Sequence, residues 1–171
     1  MDATYQDHGI QFRYPDDWEL GEQQEADQFS VTVTSPTTAF WTLSLFNSCP
    51  EPDDVIESVL DAFHEEYDEM DEYPTTARVA RRPTVGRDID FVCLNTMNFA
   101  AVRSFRTRQF TAMVLFQLNE SEREDLEPIL EQITRSLSCA GASTDAAEDD
   151  DEFTADAAGL LGLEIDADED D

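Results

Sequence analysis

Between Gly9 and Leu137 the apolar residues of this chain change period three times, and that alternation restricts the architecture more than any other feature. In GIQFRY, Ile10, Phe12 and Tyr14 alternate with Gln11 and Arg13, the two-residue period of a strand with one buried face. The turn Pro15-Asp16-Asp17-Trp18 then ends it. Pro15 sets a turn dihedral, the aspartates tolerate turn conformations, and Trp18 returns as a large apolar plug for one end of a core. Residues 29–34 and 39–46 read as two further strands, separated by Ser35-Pro36. Past Pro50 and Pro52 the spacing becomes helical, with Val55, Ile56, Val59, Leu60, Phe63 and Tyr67 on one stripe. Asp53 is the expected cap, and the helix is expected to end before Pro74.

From Thr75 to Leu118 the period returns to two. Residues 76–82 read as a strand with Ala77, Val79 and Arg81 on one face, and Val85-Gly86-Arg87 as a turn. Residues 89–97 and 99–108 read as two more strands. Residues 110–118 form the most apolar run, which suits a central strand buried on both faces. Ser121 and Glu124 fit a capping box, and Leu126, Ile129, Leu130, Ile133 and Leu137 make a closing helical stripe. Pro128 conflicts with an uninterrupted helix from Glu122, so that helix is expected either to start near Pro128 or to kink there.

Residues 1–139 therefore read as one globular domain, and residues 140–171 as an appendage. The appendage is small and acidic, expected to be disordered, except for the apolar island AAGLLGLEI at 157–165. That island is too short and too rich in Gly for a stable free helix, and reads as a docking motif, a segment tucked on its own domain, or part of a solubilising tail.

Forty acids stand against ten bases, all Arg, for a formal net charge of −30. Such a surface repels nucleic acid and anionic membranes, since polyphosphate binding needs cations, and it favours basic proteins or divalent ions. Adaptation of the surface to salt is the plain alternative. The charge is segregated. Residues 140–171 hold thirteen acids and no base, while Arg78, Arg81, Arg82, Arg87, Arg103, Arg106 and Arg108 lie in a stretch with only Asp88 and Asp90. The tail is a candidate to mask those arginines. No apolar run approaches the ~20 residues that span a bilayer. The first residues, with Asp2 and Asp7, do not read as a leader, so the cytoplasm is the expected compartment. Cys49, Cys93 and Cys139 form no CxxC spacing and are expected as reduced thiols.

The order β-β-β-α-β-β-β-β-α, with Tyr14-Pro15-Asp16-Asp17-Trp18 at its head and a Leu/Ile-striped helix closing on Ser136-Leu137, resembles the PsbP-like fold. That fold is shared by the photosystem II protein PsbP, the eukaryotic Ran-binding release factor and the bacterial DcrB-related proteins, among them Eag-type secretion chaperones. The resemblance covers about residues 8–138, with Tyr14, Pro15 and Trp18 as its packing residues. It implies an α+β (α/β) domain, an antiparallel sheet of about six to seven strands with helices packed on it. It also implies a binding or accessory module, an assembly adaptor or effector chaperone.

No catalytic motif of the GxSxG, HExxH, P-loop or GxGxxG kind occurs. His64 with Asp61 gives only an i, i+3 pair, and the closing DADEDD lacks the Gly and Glu of a calcium loop. The expectation is a non-catalytic domain without metal or cofactor that binds another protein. Arg81, Arg82, Arg103 and Arg106 are the candidates for one contact surface, and Leu160, Leu161, Leu163 and Ile165 for a second. A small-ligand or enzymatic cleft between sheet and helices, or a salt-adapted structural domain, are the other readings.

Overall fold

The computed structural model describes residues 2–139. In chain order these form β1 (Ala3–Asp7), β2 (Ile10–Tyr14), β3 (Glu19–Gln24), β4 (Gln28–Thr34), β5 (Phe40–Phe46) and α1 (Pro52–Glu66). They continue with β6 (Met70–Thr75), β7 (Arg78–Val79), β8 (Arg82–Pro83), β9 (Val85–Cys93), β10 (Thr96–Arg106), β11 (Thr111–Asn119), α2 (Arg123–Ser136) and β12 (Ser138–Cys139). Seven strands make one antiparallel sheet in the order β3-β4-β5-β11-β10-β9-β6, and β1-β2-β12 make a second, smaller one. The most apolar run is the middle strand, β11, as its sequence requires.

The large sheet is covered unevenly. On one face, α1 sets Val55, Ile56, Leu60 and Phe63 against Ile89, Phe91, Ala100, Val102 and Met113. On the other, α2 and the small sheet enclose the larger core around Phe12, Trp41, Leu43, Val114, Leu130 and Ile133. Trp18 lies in that core at 7% exposure, and its N–H closes the turn onto the Pro15 carbonyl at 3.1 Å. The indole of Trp41 donates to Thr134 Oγ1 at 2.9 Å, tying β5 to α2. Where α1 does not reach, β4 and β5 pair hydroxyls instead, Ser30 with Ser44 and Thr32 with Thr42.

Several local expectations are corrected. Pro52 opens α1 and Glu51 is its N-cap residue, so Asp53 sits in the first turn and does not cap. The expected strand over 76–82 is instead a tight hairpin, β7–β8, turning at Ala80 (φ 52°) and Arg81 (φ 68°). Gly86 is not in a turn but inside β9, where a Cβ would lie 2.8 Å from the Val102 carbonyl oxygen. The strand break expected at Asn98 falls earlier, at Leu94 and Asn95 with φ of 54° and 64°. Such paired positive angles match the twist of a two-residue hairpin. Ser121 does not cap: Asn119 caps a short 3-10 turn over Glu120–Glu122, accepting from the Ser121 N–H at 2.9 Å, and the N-cap residue of α2 is Glu122, with no side-chain cap. α2 then runs through Pro128 from Arg123. Three polar edge strands, β1, β3 and β6, have no apolar alternation to announce them and escaped the reading of the residues. The expected tail disorder and the island at 157–165 lie outside the described residues.

Candidate functional site

A strip of the large sheet is left bare beyond β10. Phe99, Ala101 and Phe105 of β10 belong to the larger core, but no residue of β9 or β6 joins it. The register continues this face outward as cross-strand rows: Met97 beside Val92, Phe99 beside Asp90 and Asp71, and Ala101 beside Asp88 and Tyr73. Alternation puts all of these on the face opposite α1. Tyr73 is 50% exposed, Met97 45%, and Leu94 at the β9–β10 tip 91%; these are the exposed large apolar residues among the described residues.

Acids are set among them under control of two arginines. Arg103 donates to Asp88 at 2.9 Å and to the carbonyls of Arg87 and Val102. Arg123 lies 3.6 Å over the Phe99 ring, held by Glu127 at 2.8 Å and Glu120 at 3.3 Å. Partial burial pushes the Asp90 carboxyl above its usual range; Arg123 opposes this, while Glu120, Asp71 and Asp88 add to it. The strip is thus apolar at its edges and acidic at its centre, suited to an apolar contact flanked by Lys or Arg. It offers no nucleophile–base pair.

The four arginines singled out in the sequence fall into two places. Arg81 is exposed in the β7–β8 turn, and Arg82 donates to the Arg106 carbonyl at 3.3 Å. Arg106 in turn binds Glu51 at 2.7 Å. Arg78 donates to the Arg81 carbonyl, so Arg78, Arg81, Arg82 and Arg106 share one end of the molecule. Arg103 stands apart on the bare strip, its side chain 16% exposed and committed to Asp88. Leu160, Leu161, Leu163 and Ile165 lie outside the described residues.

Other sites are sparse. His64 pairs with Glu72 at 3.1 Å on an exposed face, and not with Cys93. Asp7, His8 and Glu22 bring ligand atoms within 4.8 Å of one another, all three exposed, with Glu22 already accepting from the Tyr5 hydroxyl at 2.6 Å. A shallow depression of about 370 Å³ beside Trp18, Pro36, Leu126 and Ile129 is rimmed by Glu122 and Asp125. The Thr38 and Thr37 hydroxyls donate to Glu122 and hold its carboxyl below the usual range, Thr38 foremost. Cys93 and Cys139 are free thiols. Burial pushes Cys139 up to about 11, the Arg82 charge working the other way. Sequence reading missed Leu94 and Met97 because it ran β9 past its true turn, and Tyr73 because β6 has no apolar alternation. A two-residue stretch ending in Asn between alternating runs was the available signal.

No family model and no curated protein sequence matches the chain. Solved structures do. LpqN of Mycobacterium tuberculosis, described as involved in cell envelope biogenesis, superposes with a TM-score of 0.53 at 14% identity, over 78% of this chain and 86% of its own. PA94 of Pseudomonas aeruginosa, a protein of unknown function, gives 0.50 at 13% identity over 78% and 94%. A Glu-to-Ala mutant of Mog1 gives 0.51 at 8% identity over 80% and 93%. At such identities the likeness is one of fold: this chain shares the fold of LpqN, PA94 and Mog1.

Proposed function

We propose that this domain is a non-catalytic module that binds another protein through the bare strip over β6, β9 and β10. The observation that carries the reading is the exposure of Tyr73 and Met97 on one partly uncovered face, with Leu94 exposed at the β9–β10 tip that ends it. A strongly charged chain has ample polar residues with which to cover such positions. Leu94 also occupies a backbone region that costs a side chain of its kind about 1–2 kcal/mol, a position better filled by Gly or Asn. The partner's matching surface is an apolar residue flanked by cations, met by Asp71, Asp88 and Asp90. Support against a catalytic cleft comes from the interior: the buried polar residues among those described are Ser35, Ser44, Thr84, Ser104 and Thr111, hydroxyls without a carboxylate or imidazole among them. LpqN's stated part in envelope biogenesis fits an adaptor or chaperone in an assembly process.

The test compares capture of partners from native lysate by the wild-type chain, by a Tyr73→Ser/Leu94→Ser/Met97→Ser variant and by an Arg81→Gln/Arg106→Gln variant. Loss of a captured protein with the first variant alone supports the strip. Loss with the second alone moves the contact to the arginine end, the surface first expected. Capture of nothing by the wild type, alongside a small molecule that raises its melting temperature, would replace the reading with a ligand-binding one.

A further inference from the structure

Among the described residues, arginines left without a carboxylate partner gather at one place. Carboxylates lie within 4.0 Å of Arg87, Arg103, Arg106, Arg123 and Arg135. Arg78, Arg81, Arg82 and Arg108 have no such partner among the described residues, in a chain where acids outnumber bases four to one. These four are not scattered. Arg78, Arg81 and Arg82 share the β7–β8 hairpin, Arg82 reaches the carbonyl of Arg106 at the end of β10, and Arg108 follows two residues later in the β10–β11 loop. Arg82 adds a second deficit: its Nε is buried without a hydrogen-bond partner in the described structure. A buried donor left unmatched is costly, and a carboxylate is the acceptor that repairs it best.

The chain itself delivers carboxylates to this spot. Cys139, the last described residue, pairs with Ile10 on β12 and lies close enough to Arg82 for the guanidinium charge to act on its thiol. Residues 140–171 start from there, with thirteen acids and no base. The first acid, Asp145, is within about 20 Å of extended chain from Cys139, and the block 148–152 within about 45 Å. Tethering at such short range gives an effective concentration of order millimolar without any new contact.

We propose that the acidic segment 140–171 docks in cis on the Arg78–Arg81–Arg82–Arg108 cluster. It does so mainly through the acids nearest Cys139. The cluster is then covered in the free protein, and an anionic partner has to displace the segment to reach it. This does not depend on the reading of the bare strip.

The chain's lack of Lys makes a direct test available. In full-length protein, Arg81→Lys introduces an amine that keeps the charge, and beside the α-amino group it is the only one. A carbodiimide then joins it without a spacer to any carboxylate in contact, and mass spectrometry maps the joint. Arg123→Lys serves as the comparison, since Glu120 and Glu127 lie against that side chain and show that the reagent works. Arg108→Lys repeats the measurement should the first variant fail to fold.

The expected result is a joint between position 81 and acids of 145–156 in protein of monomeric mass. It should be at least fivefold more abundant than any joint from position 123 to the tail. It should fall at least threefold between 0.1 and 1 M NaCl, as the screening length shrinks from about 10 to about 3 Å. Joints from positions 81 and 108 to acids of the folded domain alone would overturn the proposal. So would equal tail joints at 81 and 123, joints found only in covalent dimers, or joints indifferent to salt.

Discussion

Leu94 shows how one side chain can work against stability for the sake of a surface. Its φ of 54° is one that glycine adopts freely, and its side chain is almost wholly in water. Leu94→Gly is expected to raise the unfolding free energy by about 0.5–1 kcal/mol, less the extra chain entropy of Gly, and to weaken partner capture; urea unfolding read beside the pull-down checks both. Asp90 offers a pH test. Its carboxyl is raised in the fold, so the native state binds that proton more tightly than the unfolded chain does. The ionised group therefore costs stability, and the cost grows as pH rises from the unfolded value of about 3.9 through the folded one. Asp90→Asn should accordingly gain on the wild type at pH 7 and draw level with it near pH 3, where both states of the wild type hold the proton. An advantage that persisted at pH 3 would assign the gain to something other than titration.

Among the elements, α2 carries a recognisable flaw. Pro128 lies six residues in, with no N–H to give to the Glu124 carbonyl and a ring pressed against that turn. The helix persists because Leu130, Ile133 and Leu137 are buried in the core and Thr134 holds the Trp41 indole. Pro128 is exposed, so Pro128→Ala should stabilise the domain by roughly 1–3 kcal/mol, measured by chemical unfolding. Gly86 in β9 behaves in the opposite sense. Its missing side chain leaves room for the Arg103 stem that carries the guanidinium to Asp88, and although that side chain could shift, the Val102 carbonyl, being backbone, cannot yield to a Cβ there. Gly86→Ala should therefore destabilise, by about 1–3 kcal/mol, and loosen the acidic strip with it.

For the molecule as a whole, charge is an unfavourable term that salt can tune. Forty acids and ten arginines leave the fold repelling itself, and added salt screens that repulsion. The melting temperature is expected to rise by about 4 °C or more between 0.05 and 1 M NaCl, the shift that roughly 1 kcal/mol makes in a domain of this size. A melting temperature that fell with salt would mean that the surviving ion pairs, Arg103–Asp88 and Arg106–Glu51 first among them, outweigh the repulsion.

Long residue patterns that meet the core were legible in advance. The alternation of Ile10, Phe12 and Tyr14, the helical stripe from Val55 to Phe63, the apolar run of β11 and the plug Trp18 all follow from burial, which imposes a period on whichever residues it selects. Polar edges carry no such imprint. β1, β3 and β6 are strands because a neighbour's open edge offers them hydrogen bonds, and a backbone partner leaves no mark on side-chain order. The same holds for the surfaces that bear on function. The arginine cluster arises because β8 meets the end of β10, and the bare strip because the cover from α2 and the small sheet stops one strand short of β9. Burial, being local in its pattern, could be read from the chain; juxtaposition, being set by which strands pair, came only with the tertiary structure.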